Sequence, residues 1–424
     1  MKKLFDVVNW AVDTNVYEVN LRQYTTEGNL KGFEKHLDRL AKMGVEVLWF
    51  MPITPIAGKN RKGSLGSYYA CSSYIKINPE FGDLNGFKSI VNAAHEKGMK
   101  VIIDWVANHT GWDHEWTSEY KDFYKVNHEG NFYDAHGWDD VIDLNYDNPE
   151  MRLEMIRCMR FWIEECDIDG FRCDMAMLTP VDFWIQARSA LDASKKLFWL
   201  AELDPMDNPE YMQVFDSAYT WKWMNATKQF KDNGAHNIYP LREVLSSYQT
   251  LLNNGCFPAW FTSNHDENSW NGTEFEKYQE MAMPLAVFSC LWKGIPLIYS
   301  GQELPNHKRL AFFDKDPINW SYPPALQQFY TLLLNERKTN VSDGGMKEIQ
   351  NSIEHHVLSF TRNNCYSILV FINFSPYHLS HLDFEFDGQS GEYSEIFTNQ
   401  HRVFEKNKNT IALGAWGFSV WKRK

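Results

Sequence analysis

Residues 87–106, FKSIVNAAHEKGMKVIIDWV, hold one full repeat of the pattern that decides the fold. Phe87, Ile90, Val91 and Ala94 fall at i, i+3, i+4 and i+7, one face of a helix, and Gly98 stops it. Val101-Ile-Ile-Asp-Trp-Val106 is the strand that follows. Upstream, Phe33, Leu37, Leu40 and Ala41 make the same kind of stripe, Gly44 ends it, and Val45-Glu-Val-Leu-Trp-Phe50 is a strand closed by Pro52. Downstream, helices near 151–165 and 181–193 lead to strands at 168–174 and 197–202. Helices near 240–253 and 275–292 lead to strands at 259–264 and 295–299. With short runs at 16–20 and 218–221 the strands number eight. Eight βα units without a Gly-rich phosphate turn after the first strand predict a closed parallel (β/α)8 TIM barrel; an open doubly wound sheet is the alternative.

Two segments depart from this rhythm. Residues 109–147, rich in Trp, His, Asp and Tyr, form a short insertion after the third strand, and loops of that length are uncommon unless they carry function. From 342 onward, short alternating runs at 365–373, 410–413 and 417–421 predict a C-terminal antiparallel β domain. The expected division is a barrel at 1–108 and 148–341, the insertion at 109–147, and the β domain at 342–424.

Composition narrows the function. The 424 residues carry a formal net charge of −13, which opposes a polyphosphate partner and excludes a nucleic-acid binder. Aromatic residues make up 15% of the chain, enough to line a sugar cleft as well as a large core. Seven scattered cysteines without a CxxC pair read as buried thiols of a reducing compartment. The N-terminus lacks a sustained apolar signal region, and no stretch approaches the length of a membrane span. The expectation is a cytoplasmic protein with no membrane partner; the alternative is a periplasmic or secreted one whose leader has been removed. The sequence carries no reading of oligomeric state.

Acidic residues mark the rim. In a βα barrel, chemistry gathers at the C-terminal ends of the strands. Asp174, Glu202 and Asp266 stand at the ends of the fourth, fifth and seventh predicted strands, and Asn108-His109 at the end of the third. Glycoside hydrolysis needs one carboxylic acid to protonate the leaving oxygen and one carboxylate to attack or stabilise the anomeric carbon. Arg172, two residues before Asp174, points to the same side and is expected to keep it ionised and lower its pKa. Cys173 then points outward to the helix layer. Other readings of the same residues stay open here: a strand-end Asp also caps helices, Arg172 could form an ordinary ion pair, and His109 and His265 could bind a metal. Patterning alone reaches a barrel hydrolase.

Asp104-Trp-Val-Ala-Asn-His109, Gly170-Phe-Arg-Cys-Asp174, Glu202 and Phe261-Thr-Ser-Asn-His-Asp266 resemble, in order, the four motifs of the α-amylase family, glycoside hydrolase family 13. Residues 294–303 resemble that family's eighth-strand segment, and 66–82 its second-strand loop. The resemblance implies Asp174 as nucleophile, Glu202 as general acid and base, and Asp266 as a carboxylate favouring the oxocarbenium-like transition state. It implies sugar contacts for His109, Arg172 and His265, with Tyr69 as the stacking platform. The implied activity is retaining hydrolysis of α-1,4-glucosidic bonds in starch-derived glucans or maltooligosaccharides. Chain length, endo or exo action and tolerance of α-1,6 branches depend on the rim loops.

Three departures are visible. Met175-Ala-Met-Leu178 replaces the Lys-His pair that many members carry, Ser73 stands where an Asp is frequent, and the insertion is short. The resemblance places possible calcium ligands at Asn108 and Asp143, whose oxygens suit that ion; a hydrogen-bonding role for both is the alternative. Trp112, Trp116, Trp138 and Trp270 are candidates for cleft walls or core. A transglycosylase or isomerase would use the same catalytic residues. A non-catalytic carbohydrate-binding protein would typically lose one of the three carboxylates. A metal-dependent hydrolase lacks its motif, since His109 and His114 begin neither HxH nor HExxH.

Overall fold

The computed structural model describes residues 2–12, 14–234, 237–340, 345–362, 368–385 and 390–424. Its first part is a closed barrel of eight parallel strands. These are β1 (Val16–Val19), β2 (Val47–Phe50), β3 (Lys100–Trp105) and β4 (Gly170–Cys173), then β5 (Phe198–Ala201), β6 (Ser217–Tyr219), β7 (Phe257–Trp260) and β8 (Ile295–Tyr299). The ring closes where β1 pairs with both β2 and β8. Every strand expected from the sequence is present, including the short one near 218.

The repeat at 87–106 behaves as its pattern requires. Helix Leu84–Glu96 buries Phe87, Ile90, Val91 and Ala94. The Asp83 side chain accepts from the Gly86 N–H at its start, a cap worth about 1 kcal/mol. The helix before β2 ends at Gly44, whose φ of 98° lets its N–H reach back to Leu40 and Ala41. The expected helix at 275–292 is instead two segments, Glu274–Tyr278 and Ala282–Leu291, separated by a 3₁₀ turn at Gln279–Met281. Gln279 has a φ of 51°, which the α-helix cannot accommodate.

Strand alternation divides the core into two layers. Val16, Val47, Trp49, Ile102, Phe198, Leu200, Ala259 and Leu297 fill the barrel. Their neighbours Tyr17, Leu48, Ile103, Phe171, Cys173 and Trp199 pack outward against the helices. The same parity turns Glu18, Asp104, Arg172, Asp174 and Glu202 inward, onto one rim. Cys173 packs in the helix layer as expected, and the six described cysteines are buried and unpaired.

Between β3 and β4, His109–Gly111 pairs antiparallel with Val141–Asp143 to make a short ribbon over the barrel mouth. After the barrel comes a six-stranded antiparallel sheet and a two-stranded ribbon, Leu379–Glu385 with Lys408–Leu413. The boundary expected at 341/342 lies outside the described residues, as do 365–367 at the start of the expected strand; Ile368–Asn373 is its described part. Among the described residues, no helix is long and apolar enough to cross a membrane.

Candidate active site

Arg172 organises the rim. Wholly buried, it holds Asp104 and Asp174 with Nη1 at 2.9 and 2.8 Å, and its Nη2 lies 2.8 Å from Glu202 Oε2. The last contact is an ion pair without hydrogen-bond alignment. Its Nε donates to the Tyr219 hydroxyl at 3.3 Å, and its guanidinium lies 4.9 Å from the centre of the Trp49 ring. Trp49 in turn donates to Asp104 Oδ2. Glu202 also accepts from the N–H of Met175 at 2.8 Å. That N–H is aimed by a left-handed backbone at Met175, φ 37°, a strained conformation for a residue with a Cβ.

A second group meets the first around Tyr69. Its hydroxyl donates to Asp104 Oδ2 at 3.2 Å and lies 2.7 Å from His265 Nε2, and the two rings stack at 5.4 Å. His265 Nδ1 is 2.5 Å from Glu18 Oε1, and Nε2 is 3.1 Å from Asp266 Oδ2. Burial opposes charge on this imidazole, but Asp266 and Glu18 outweigh it and hold the pKa well above the ordinary value. His265 is therefore a cation. Asp266 stays ionised in return: burial works against its charge, but His265 and Arg172 bring its pKa below the usual carboxylate value.

Five carboxylates, Glu18, Asp104, Asp174, Glu202 and Asp266, thus face two cations, Arg172 and His265. Burial raises four of the five, Glu18, Asp104, Asp174 and Glu202. Burial pushes Glu202 up to about 7, with Asp174 and Asp266 adding to the rise against Arg172. Asp174 rises to about 6, also by burial, with Arg172 pulling it down and Asp104 pushing it up. The sequence-based expectation that Arg172 lowers Asp174 has the right sign for that one contact. The net shift is upward, because desolvation outweighs it.

Of these groups Asp174, Glu202 and Asp266 line a cavity of about 490 Å³, together with Tyr69, His109 and Met175. Trp138 and Trp270 form parts of its wall, whereas Trp116 is core and Trp112 donates to the Asp139 carbonyl beside the insertion. His109 is buried, packs edge-on against Trp138, and is held neutral by burial with a pKa of about 4. Ser73 donates to Glu115 and takes no part in holding Tyr69.

Asn108 and Asp143 both adjoin His109, Asn108 through its side chain and Asp143 across the ribbon. The Asn108 side chain lies 3.3 Å from His109 Nδ1. Asp143 is fully buried, and its Oδ2 is 3.3 Å from Lys125 Nζ. Its Oδ1 has no hydrogen-bond partner, which offers a single donor where calcium takes six to eight oxygens. Among the described residues there is no cluster of three or more His, Cys, Asp or Glu that could hold a metal. The Lys125 ammonium is the counter-charge that Asp143 has in this structure.

The sequence reading did not single out Glu18 or Asp104 as site residues. Asp104 stood inside a quoted motif, and its parity with Arg172 across the β3–β4 register carries the signal. Glu18 has the inward parity of β1, but its partner is 247 residues away.

A closed βα barrel with acid and carboxylate groups converging on one polar, aromatic-walled rim defines a glycoside hydrolase. A family model described as "Alpha amylase, catalytic domain" matches residues 12–140 and 123–352, and "Alpha amylase, C-terminal all-beta domain" matches 349–424. The chain belongs to the α-amylase family, glycoside hydrolase family 13. It is 28% identical to alpha-amylase 3 of Dictyoglomus thermophilum over 74% of this chain and 68% of that one. With the cyclomaltodextrinase of Geobacillus thermopakistaniensis it shares 25% over 93% and 70% respectively. Among solved structures, the maltogenic α-amylase AmyB of Thermotoga neapolitana superposes with a TM-score of 0.86 at 29% identity, covering 97% of this chain and 98% of the other. An α-amylase of Lactobacillus plantarum gives 0.83 at 25% identity, covering 98% and 100%.

Proposed function

We propose that the protein hydrolyses α-1,4-glucosidic bonds in starch-derived glucans or maltooligosaccharides with retention of configuration. Asp174 attacks the anomeric carbon, and Glu202 protonates the departing oxygen. Glu202 then takes a proton from the water that releases the glycosyl group from Asp174. Asp266, with cationic His265 behind it, binds hydroxyls of the distorted ring, and Tyr69 stacks beneath that ring. In this reading the barrel (1–108 and 148–341) carries the chemistry, 109–147 supplies one cleft wall, and 342–424 is a separate β domain.

One observation carries the choice of retention. The Asp174 and Glu202 carboxyls sit side by side on one guanidinium, each 2.8 Å from Arg172, at Nη1 and Nη2. An inverting pair stands roughly 6.5–9.5 Å apart to admit a water between acid and base. Proton NMR of maltoheptaose digestion in its first minutes tests the reading. The expected product is an α-anomer that mutarotates later; initial β-anomer would overturn it. Redistributed chain lengths without new reducing ends would mean that a sugar hydroxyl, not water, resolves the intermediate.

The raised carboxylates fix the pH profile. Activity needs Asp174 ionised and Glu202 protonated. The log of kcat/KM should therefore fall below about 6 and again above about 7, as apparent values of the coupled pair. Glu202→Gln should remove the alkaline limb and cost about 10²–10⁴-fold on maltooligosaccharides, less on aryl glycosides whose leaving group needs no proton. An equal loss on both substrates would count against Glu202 as the proton donor.

A further inference from the structure

We propose that residues 56–66, strapped down by the Lys62–Asp140 ion pair, close the glycone end of the cleft, so that maltooligosaccharides are cut only from their non-reducing ends. The proposal rests on the roles given to Asp174 and Glu202 above.

The segment leaves β2 and ends just before Tyr69, and it is tied down on both flanks. On one side Ser64 donates to Asp314 Oδ1 through its N–H and its hydroxyl, at 2.8 and 2.5 Å, and the Leu65 N–H donates to the Phe313 carbonyl at 3.0 Å. Gly63 allows this approach. It has a φ of 62°, and a Cβ there would lie 2.5 Å from the Cβ of Phe313. On the other side the N–H groups of Gly58 and Lys59 share Asp113 Oδ2, and Asn60 donates to the Asp139 carbonyl. Lys62 Nζ then reaches Asp140 Oδ1 at 2.8 Å, with the Asp140 side chain only 6% exposed. Lys62, Asp140 and Phe313 all line the catalytic cavity. One segment therefore joins the loops after β2, β3 and β8 into a continuous wall.

The ring order says which end of the substrate meets that wall. β8 and β2 flank β1 and β3 lies next to β2, so the wall spans the arc from β8 to β3, and β5 stands four strands from β1, across the barrel. Glu202 follows β5, and the leaving group departs toward the residue that protonates it. The glycone, held on Asp174 over Tyr69, therefore extends toward the wall. Among the described residues lining the cavity, none comes from the loop after β6. A chain interior cannot pass through a closed end, so cleavage must begin at a free terminus.

The test compares reducing-end-labelled maltoheptaose with the same sugar carrying a 4,6-acetal on its non-reducing terminal ring. The wild-type protein should shorten the uncapped sugar from its non-reducing end and cut the capped one about 100-fold more slowly or worse. Lys62→Ala should raise cutting of the capped sugar, and the charge swap Lys62→Asp with Asp140→Lys should lower it again. Equal rates on capped and uncapped sugar would overturn the closed end while leaving the glycosidase reading intact. A capped rate unmoved by Lys62→Ala would overturn the strap. If neither sugar were cut, the glycosidase reading would fail and take the proposal with it.

Discussion

Replacing Asp174 with asparagine should lower kcat on maltoheptaose by about 10⁴-fold or more, the scale seen when a residue that acts as part of a catalytic unit is removed. The amide is nearly isosteric, and its oxygen can still accept from Arg172 Nη1, which keeps Asp104 at 2.9 Å. The rim should therefore survive, and thermal unfolding should shift little. What is lost is the lone pair of an anion poised at the anomeric carbon. Steady-state kinetics beside an unfolding curve separate the two effects. Activity within about tenfold of wild type, in a folded variant, would end the nucleophile assignment.

Arg172→Met should have the largest effect on stability. The guanidinium is wholly buried, and Asp104, Asp174 and Glu202 all lie within 3 Å of it. Methionine fills much of the volume but leaves three acidic groups without a counter-charge. Removing one side of a buried ion pair costs about 3–5 kcal/mol, because the remaining charge stays desolvated. Urea unfolding should show a loss of that order, and activity should vanish at every pH because Asp174 is driven further toward its protonated form. Arg172→Lys should recover part of the stability, since one ammonium cannot span the positions of Nη1 and Nη2. A methionine variant as stable as wild type would mean that the carboxylates relax onto water or share protons at little cost.

The barrel was legible because its evidence is local. Each helix stripe, glycine stop and strand lies within about twenty residues, as 87–106 does, and strand-end acids mark the rim through parity alone. What escaped the sequence depends on pairs that periodicity does not join. Glu18 shares the inward parity of β1, but its partner His265 stands 247 residues away. Lys62 and Asp140 are two surface charges until three loops are brought together. The direction of the Asp174 pKa was misjudged for a related reason. Arg172 is visible two residues away, but the burial that outweighs it is a property of the assembled barrel. The break at Gln279 hides within a sequence that keeps its apolar periodicity on both sides.

The seam between β1 and β8 has a further consequence, for how the protein comes to be active. Tyr17 bonds Glu303 across 286 residues, Asn20 bonds Tyr299 across 279, and Glu18 meets His265 across 247. These are contacts of very high sequence separation, whose loop-closure entropy must be met before they contribute any stability. During synthesis the first strand can meet β2 early, but it waits for nearly three hundred residues to emerge before its second neighbour, β8, exists. The imidazolium that steadies Asp266 is completed only when the ring shuts. Catalytic competence is in this sense a late event of folding, and no partial barrel, however well formed its helices, contains the site.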